Sequence, residues 1–138
     1  DEEDVRDILR APFSGVISDA TYPGGGRVHP RVCGTFARLI EKYVVREKLL
    51  TLEQAVHKVT GQAAERFGFE HKGRVAAGMD ADLLLFSPES IRENGTYAQP
   101  KVCASGFDEV LVLGQRVIEN GVYRGGRNGE MLGLRADI

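Results

Sequence analysis

The sequence predicts an α/β protein with helices concentrated in residues 1–68 and short strands in residues 69–138. Three observations predict it. Apolar residues recur at helical spacing, first at Val5, Ile8 and Leu9 and then from Phe36 to Val44. Beyond Gly68 the period changes, and short apolar runs such as Leu83–Phe86 and Val110–Leu113 stand between glycine-rich turns. Between the first two helical stretches, the run Val16-Ile17 stops at a single acid, Asp19, ahead of a loop carrying Tyr22, Pro23, three consecutive glycines and Arg27. Acids at the carboxyl end of a strand, under a glycine-rich loop, are where α/β folds place chemistry. Asp is also a common turn residue, so a turn-capping role for Asp19 stands beside that reading.

Taken in order, Asp1-Glu-Glu-Asp4 suits the amino terminus of a helix and its dipole, and Pro12 stops that helix. A strand is expected at about 13–18. From Cys33 to Leu50 the apolar positions Phe36, Leu39, Ile40, Tyr43 and Val44 form the stripe of an amphipathic helix, with Arg38, Glu41, Lys42 and Arg46 on its polar side. Thr51-Leu-Glu-Gln54 has the form of a capping box opening a second helix, whose stripe is Leu52, Ala55, Val56 and Val59. Thr60-Gly61 interrupts it, a short third piece follows through Phe67, and Gly68 sits where a left-handed cap residue is expected. Gly73-Arg74-Val75 and Leu83–Phe86 read as short strands and residues 87–106 as a long irregular connection. Val110–Leu113 and Arg116–Glu119 read as a hairpin turning on Gly114-Gln115, with a further turn at Asn120-Gly121. The tail, with Gly125, Gly126, Gly129 and Gly133, reads as extended or poorly ordered.

At 138 residues the chain is one modest domain in size and too short for a complete α/β barrel, which needs about 250. With 18 basic and 20 acidic residues it carries a net charge of −2, so neither nucleic acid nor an anionic membrane is an expected partner. No apolar run approaches a membrane span, and no signal peptide is read, which makes the cytoplasm the expected compartment. Cys33 and Cys103 fit neither a disulfide framework nor a zinc knuckle and are expected as reduced thiols. The first residue is Asp, not Met, which fits an engineered segment or a piece of something longer. The topology points the same way: a lone strand at 13–18 leaves unpaired backbone on both edges, and four short strands make a weak sheet, so structural partners are missing.

Few constellations carry chemistry. His29, His57 and His71 show no metal-ligand spacing; His57 reads as packing or surface and His71 as a solvated turn residue. Asp80-Ala-Asp82 suits a turn leading into a buried strand better than a cation site. Gly24-Gly-Gly-Arg27 lacks the Gly-Lys-Ser/Thr ending of a phosphate loop. Arg31 is open to two readings, a surface ion pair or a two-pronged grip on a substrate carboxylate. Asp19 on the same loop is a candidate general base. A lone acid cannot hold a catalytic metal, and the remaining ligands are not found at any recognisable spacing.

Thr60-Gly-Gln-Ala63 through Phe69, Lys72-Gly-Arg-Val75 and Gly78-Met-Asp-Ala-Asp82-Leu-Leu-Leu-Phe86 resemble the shared carboxyl-terminal ending of the metal-dependent amidohydrolase superfamily, as does the hairpin Val112-Leu-Gly-Gln-Arg-Val117. Ile17-Ser-Asp19, followed by His29-Pro-Arg31 and Gly34-Thr-Phe36-Ala-Arg38, is similar to a segment of the N-acyl-D-amino-acid deacylases. The resemblance covers nearly the whole chain. It implies the last helix-strand-helices of a TIM-type barrel in residues 1–68 and part of a small β-sandwich domain in 69–138. It implies a zinc enzyme cleaving the amide bond of N-acyl-D-amino acids. Asp19 would be the catalytic base and a metal contact, Arg31 the anchor for the substrate's α-carboxylate, and His29 part of the loop architecture. The family's other zinc ligands would lie in an upstream part of the same enzyme, so the 138 residues alone are expected neither to hold zinc nor to turn over. In the loop, Ala20-Thr-Tyr-Pro-Gly-Gly-Gly departs from the family's commonest form, which leaves the substrate side chain open. Two alternatives are a hydantoinase- or dihydroorotase-like enzyme for cyclic amides, and a non-catalytic interaction domain that forms a homo-oligomer through its exposed apolar faces.

Overall fold

The computed structural model describes residues 1–21 and 28–132; the glycine loop from Tyr22 to Arg27, and Gly133 of the tail, lie outside the described residues. Helix α1, Glu2–Arg10, starts where Asp1 accepts the backbone N–H groups of Glu3 and Asp4, with acids through its first turn and Arg10 in its last, the charge order its dipole favours. Of its expected stripe only Leu9 is buried; Ile8 is 61% exposed.

Helix α2, Arg31–Arg38, runs without a break into a π-helical segment, Leu39–Arg46. The expected helix is therefore present, displaced toward the amino terminus. Leu39, Ile40 and Tyr43 are buried as their spacing requires, whereas Phe36 is half exposed. Glu41, expected on the polar side, is buried instead. The wider i→i+5 turn moves it off the solvent face, where it accepts the backbone N–H of Glu93 at 2.7 Å and pairs with Arg46. Helix α3, Leu52–Val59, opens with both hydrogen bonds of the Thr51–Gln54 capping box. Thr60 breaks the run, α4 follows at Gly61–Phe67, and Gly68 ends it at φ 70°.

Four strands, β1 (Leu83–Phe86), β2 (Phe107–Val112), β3 (Gln115–Glu119) and β4 (Val122–Tyr123), form one antiparallel sheet in chain order. The β2–β3 turn falls on Leu113-Gly114, one residue earlier than expected, with φ of 48° and 76°. Positive φ at both positions is the type I′ geometry, whose twist matches that of the strands. Asp82 Oδ1 accepts the Leu113 N–H at 2.8 Å, which offsets the strain of a leucine there. Asn120-Gly121 makes the β3–β4 turn with the same signs, φ 51° and 73°.

Two expected strands are not formed. Residues 13–18 are irregular, with Phe13 80% and Ile17 78% exposed, because no neighbouring backbone among the described residues offers them a ladder. Residues 73–75 form no strand, with a bend at Gly73-Arg74: Gly73, at φ 85°, packs so closely on α4 that a Cβ would lie 2.7 Å from that of Ala64.

The core lies on the helical side, where Leu9, Leu39, Ile40, Tyr43, Leu50 and Ala55 cluster with Ile91. Ile91 follows the short 3₁₀ turn Pro88–Ser90 and has no exposed surface, so the connection between β1 and β2 is what seals the helices. Ile91→Ala should lower the unfolding free energy by about 2–5 kcal/mol, read from denaturant midpoints at unchanged m-value.

The start of α1 is tied to the π-helical segment by Glu2, which pairs with Lys42 and accepts the Tyr43 hydroxyl at 2.7 Å. Those two hydrogen bonds bring the Glu2 carboxyl down from 4.5 to about 2. A depressed carboxyl contributes stability above its unfolded value and loses it as pH falls through the folded one. The Tm difference between the unsubstituted protein and Glu2→Gln should therefore be full above pH 4.5 and close as pH falls toward about 2.

Candidate functional site

The site grows from the segment between α1 and α2. Its first part is held by Lys58 of α3, a buried lysine whose Nζ donates to the carbonyls of Ala11 at 2.7 Å and Ser14 at 3.0 Å and to Ser14 Oγ at 3.1 Å. Burial pushes this ammonium below its ordinary range. Gln62 of α4 adds a bond to the Ser14 carbonyl at 3.2 Å. The chain then reaches Asp19, which turns it at φ 47°, a left-handed conformation that Asp tolerates better than most residues.

Asp19 and Arg31, which the sequence puts at the two ends of one loop, meet in space: Arg31 Nη2 lies 2.7 Å from Asp19 Oδ2. Both side chains reach solvent, 42% for Arg31 and 66% for Asp19, so the pair contributes about 1 kcal/mol or less and can exchange one carboxylate for another. Arg31 opens α2, where Val32 and Cys33 N–H groups bond back to the carbonyls of His29 and Pro30 at 3.1 Å each. The His29 ring sits over this start: Nδ1 accepts the Arg31 N–H at 3.0 Å, and Nε2 is 2.9 Å from the Tyr97 hydroxyl.

Behind Arg31 lies a cleft of about 460 Å³, with Val5, Leu9 and Leu39 as apolar wall and Arg38, Glu93 and Tyr97 among its polar lining. Arg38 donates to Glu93 at 2.9 Å. Burial alone pulls the Arg38 guanidinium down, but the Glu93 carboxylate outweighs it and the net shift is upward. Gly34 leaves room for this acid, since a Cβ there would stand 2.9 Å from Glu93 Cγ.

The other residues weighed in the sequence lie elsewhere. His57 is exposed on α3, and His71, also exposed, bonds the Gly78 carbonyl at 3.3 Å. Asp80 and Asp82 both pair with Lys72, which lowers the Asp82 carboxyl and makes this a structural turn. Lys58, Glu93 and Tyr97 were not singled out from the sequence. Their partners at this site are 44 to 68 residues away, and no local spacing marks them. Among the described residues no three His, Cys, Asp or Glu side chains converge as a metal centre requires. Asp19 therefore supplies one carboxylate and does not by itself fit a resident zinc ion.

Comparison with known proteins gives the site a context. Residues 4–118 match the family described as "Amidohydrolase family". The chain is 35% identical over 132 residues to N-acyl-D-aspartate deacylase of Alcaligenes xylosoxydans xylosoxydans, spanning 96% of this chain and 26% of that protein. It is 37% identical over 136 residues to D-aminoacylase of the same organism, spanning 99% and 28%. A crystal structure of N-acyl-D-glutamate deacylase from Bordetella bronchiseptica, complexed with zinc and a phosphonate inhibitor, superposes with a TM-score of 0.87 at 37% identity, covering 99% of this chain and 28% of that one. Similarity to dihydroorotases is shorter, at most 42% of the chain. The chain thus spans a little over a quarter of the length of its deacylase relatives.

Proposed function

The chain belongs to the amidohydrolase family, and on that premise we propose that the intact protein hydrolyses the amide bond of N-acyl-D-amino acids, releasing a carboxylate and a free D-amino acid. The observation that carries this is the similarity along 96–99% of the chain to deacylases of D-amino acids, against a partial match to enzymes of cyclic amides.

Asp19 is the general base in this reading. Its carboxylate takes a proton from the attacking water and returns it to the amine nitrogen as the C–N bond breaks. Arg31 holds the substrate's α-carboxylate. The Asp19–Arg31 contact supports the Arg31 assignment, because the guanidinium already takes a carboxylate at 2.7 Å and stays open to solvent. Zinc, bound in the deacylase from Bordetella bronchiseptica, is proposed for the intact protein, with Asp19 as one contact and the other ligands outside this chain. Residues 1–68 are then the last part of a TIM-type barrel and 69–138 part of a small β-sandwich domain. The element order supports that division, with α4 ending at Phe67 and the first strand starting at Leu83. Exposed Phe13 and Ile17 mark the surface on which the upstream part of the enzyme packs.

The test is release of free amino acid by the intact protein from N-acetyl-D-methionine, N-acetyl-D-aspartate and N-acetyl-D-glutamate, beside their L-enantiomers. Hydrolysis of one or more D-substrates and of no L-substrate is expected. Turnover of dihydroorotate or hydantoin with none of the N-acyl-D-amino acids would overturn the reading.

A further inference from the structure

We propose that His29 and Tyr97 form a positioning pair that sets where Arg31 holds its carboxylate, so that the connection between β1 and β2 tunes substrate affinity. The inference rests on Arg31 being the carboxylate anchor and adds what aims it.

At the first turn of α2 the Arg31 N–H has no acceptor within the helix. His29 Nδ1 supplies one, at 3.0 Å. The bond runs from a side chain to the backbone two residues on, the span of an Asx turn, with an imidazole in place of the usual amide or carboxylate oxygen. A backbone N–H can only donate, so Nδ1 carries a lone pair, and the hydrogen of the neutral ring sits on Nε2. That hydrogen faces the Tyr97 oxygen at 2.9 Å, and the two rings meet edge to face with centroids 5.1 Å apart. One imidazole thus joins the backbone that carries Arg31 to a residue 68 positions along the chain.

Tyr97 is 76% exposed, so core burial does not explain its placement. Its backbone is braced nonetheless. Thr96 N–H donates to the Gln99 carbonyl at 3.1 Å, and Gln99 N–H donates to Thr96 Oγ1 at 3.0 Å, closing a tight turn around it. Asn94 ties the base of the same loop to the Cys103 carbonyl and to Ser105 Oγ, each at 3.0 Å. An exposed tyrosine on a braced turn, aimed at a histidine that holds the first residue of a helix, is built to position that residue. His29, Arg31 and Tyr97 all line the same cleft.

Steady-state kinetics of the full-length enzyme test this, with Tm recorded for each variant. Tyr97→Phe keeps the ring and deletes the acceptor oxygen; KM should rise about three- to tenfold with kcat within about twofold. His29→Asn keeps an acceptor for the Arg31 N–H and loses the link to Tyr97, so it should match Tyr97→Phe. His29→Ala loses both bonds and should raise KM further. The double variant His29→Asn with Tyr97→Phe should be no worse than either single one, because both cut the same link. Unchanged KM in Tyr97→Phe, or a double variant whose effects simply multiply, overturns the positioning pair while Arg31→Ala still raises KM. If Arg31→Ala leaves KM unchanged, the anchor assignment and the pair fall together.

Discussion

Asp19→Asn should lower kcat of the intact enzyme about 10²- to 10⁴-fold, the range a positioned general base supplies. The substitution is nearly isosteric, and the amide oxygen can still accept from Arg31 across the 2.7 Å contact, so the loop keeps its arrangement. What is lost is a site able to take a proton from water and return it to the departing amine. KM should change only a few-fold, because the group assigned to the substrate carboxylate is untouched. A variant retaining more than about a hundredth of wild-type kcat would remove Asp19 from the base role, since that range begins at about 10²-fold.

Arg31→Ala should act on the other parameter. A charge-assisted bond to the α-carboxylate contributes about 1.5–3 kcal/mol, so KM should rise about 10- to 150-fold with kcat much less affected. Arg31→Lys should recover part of the loss and not all of it, since an ammonium restores the charge without the planar fork. Substrates whose α-carboxylate is capped as an amide should be insensitive to either change. The same two variants separate the enzyme from a non-catalytic interaction domain, in which neither would matter.

Legibility varied by element, for physical reasons. The capping box at Thr51–Gln54, the break at Thr60 and the left-handed Gly68 are interactions between residues three or four apart, and the structure repeats them. The paired strands Leu83–Phe86 and Phe107–Glu119 are legible because an apolar run beside a glycine turn has few other outcomes. Residues 13–18 carry the shorter apolar run Val16-Ile17 and form no strand. Strand character is a property of pairs, and this run has no partner among the described residues. Glu41 shows the complementary failure: a period of 3.6 places it in solvent, and the π-helical turn, invisible to that period, buries it.

At the site the division is sharper. Asp19, His29 and Arg31 were legible as residue types within one short stretch, and their local bonds, such as the one from Arg31 N–H to His29, follow from neighbours in sequence. Chain order alone left open whether Asp19 and Arg31 met, because the loop from Tyr22 to Arg27 separates them. The 2.7 Å contact is a fact of the tertiary structure. So are Lys58 pinning the Ala11–Ser14 segment, Glu93 holding Arg38, and Tyr97 holding His29. Local periodicity and capping record the free energy of neighbours, which the sequence by itself determines. Contacts across 44 to 68 residues depend on how the helices and the β1–β2 connection pack, and only the folded chain decides that.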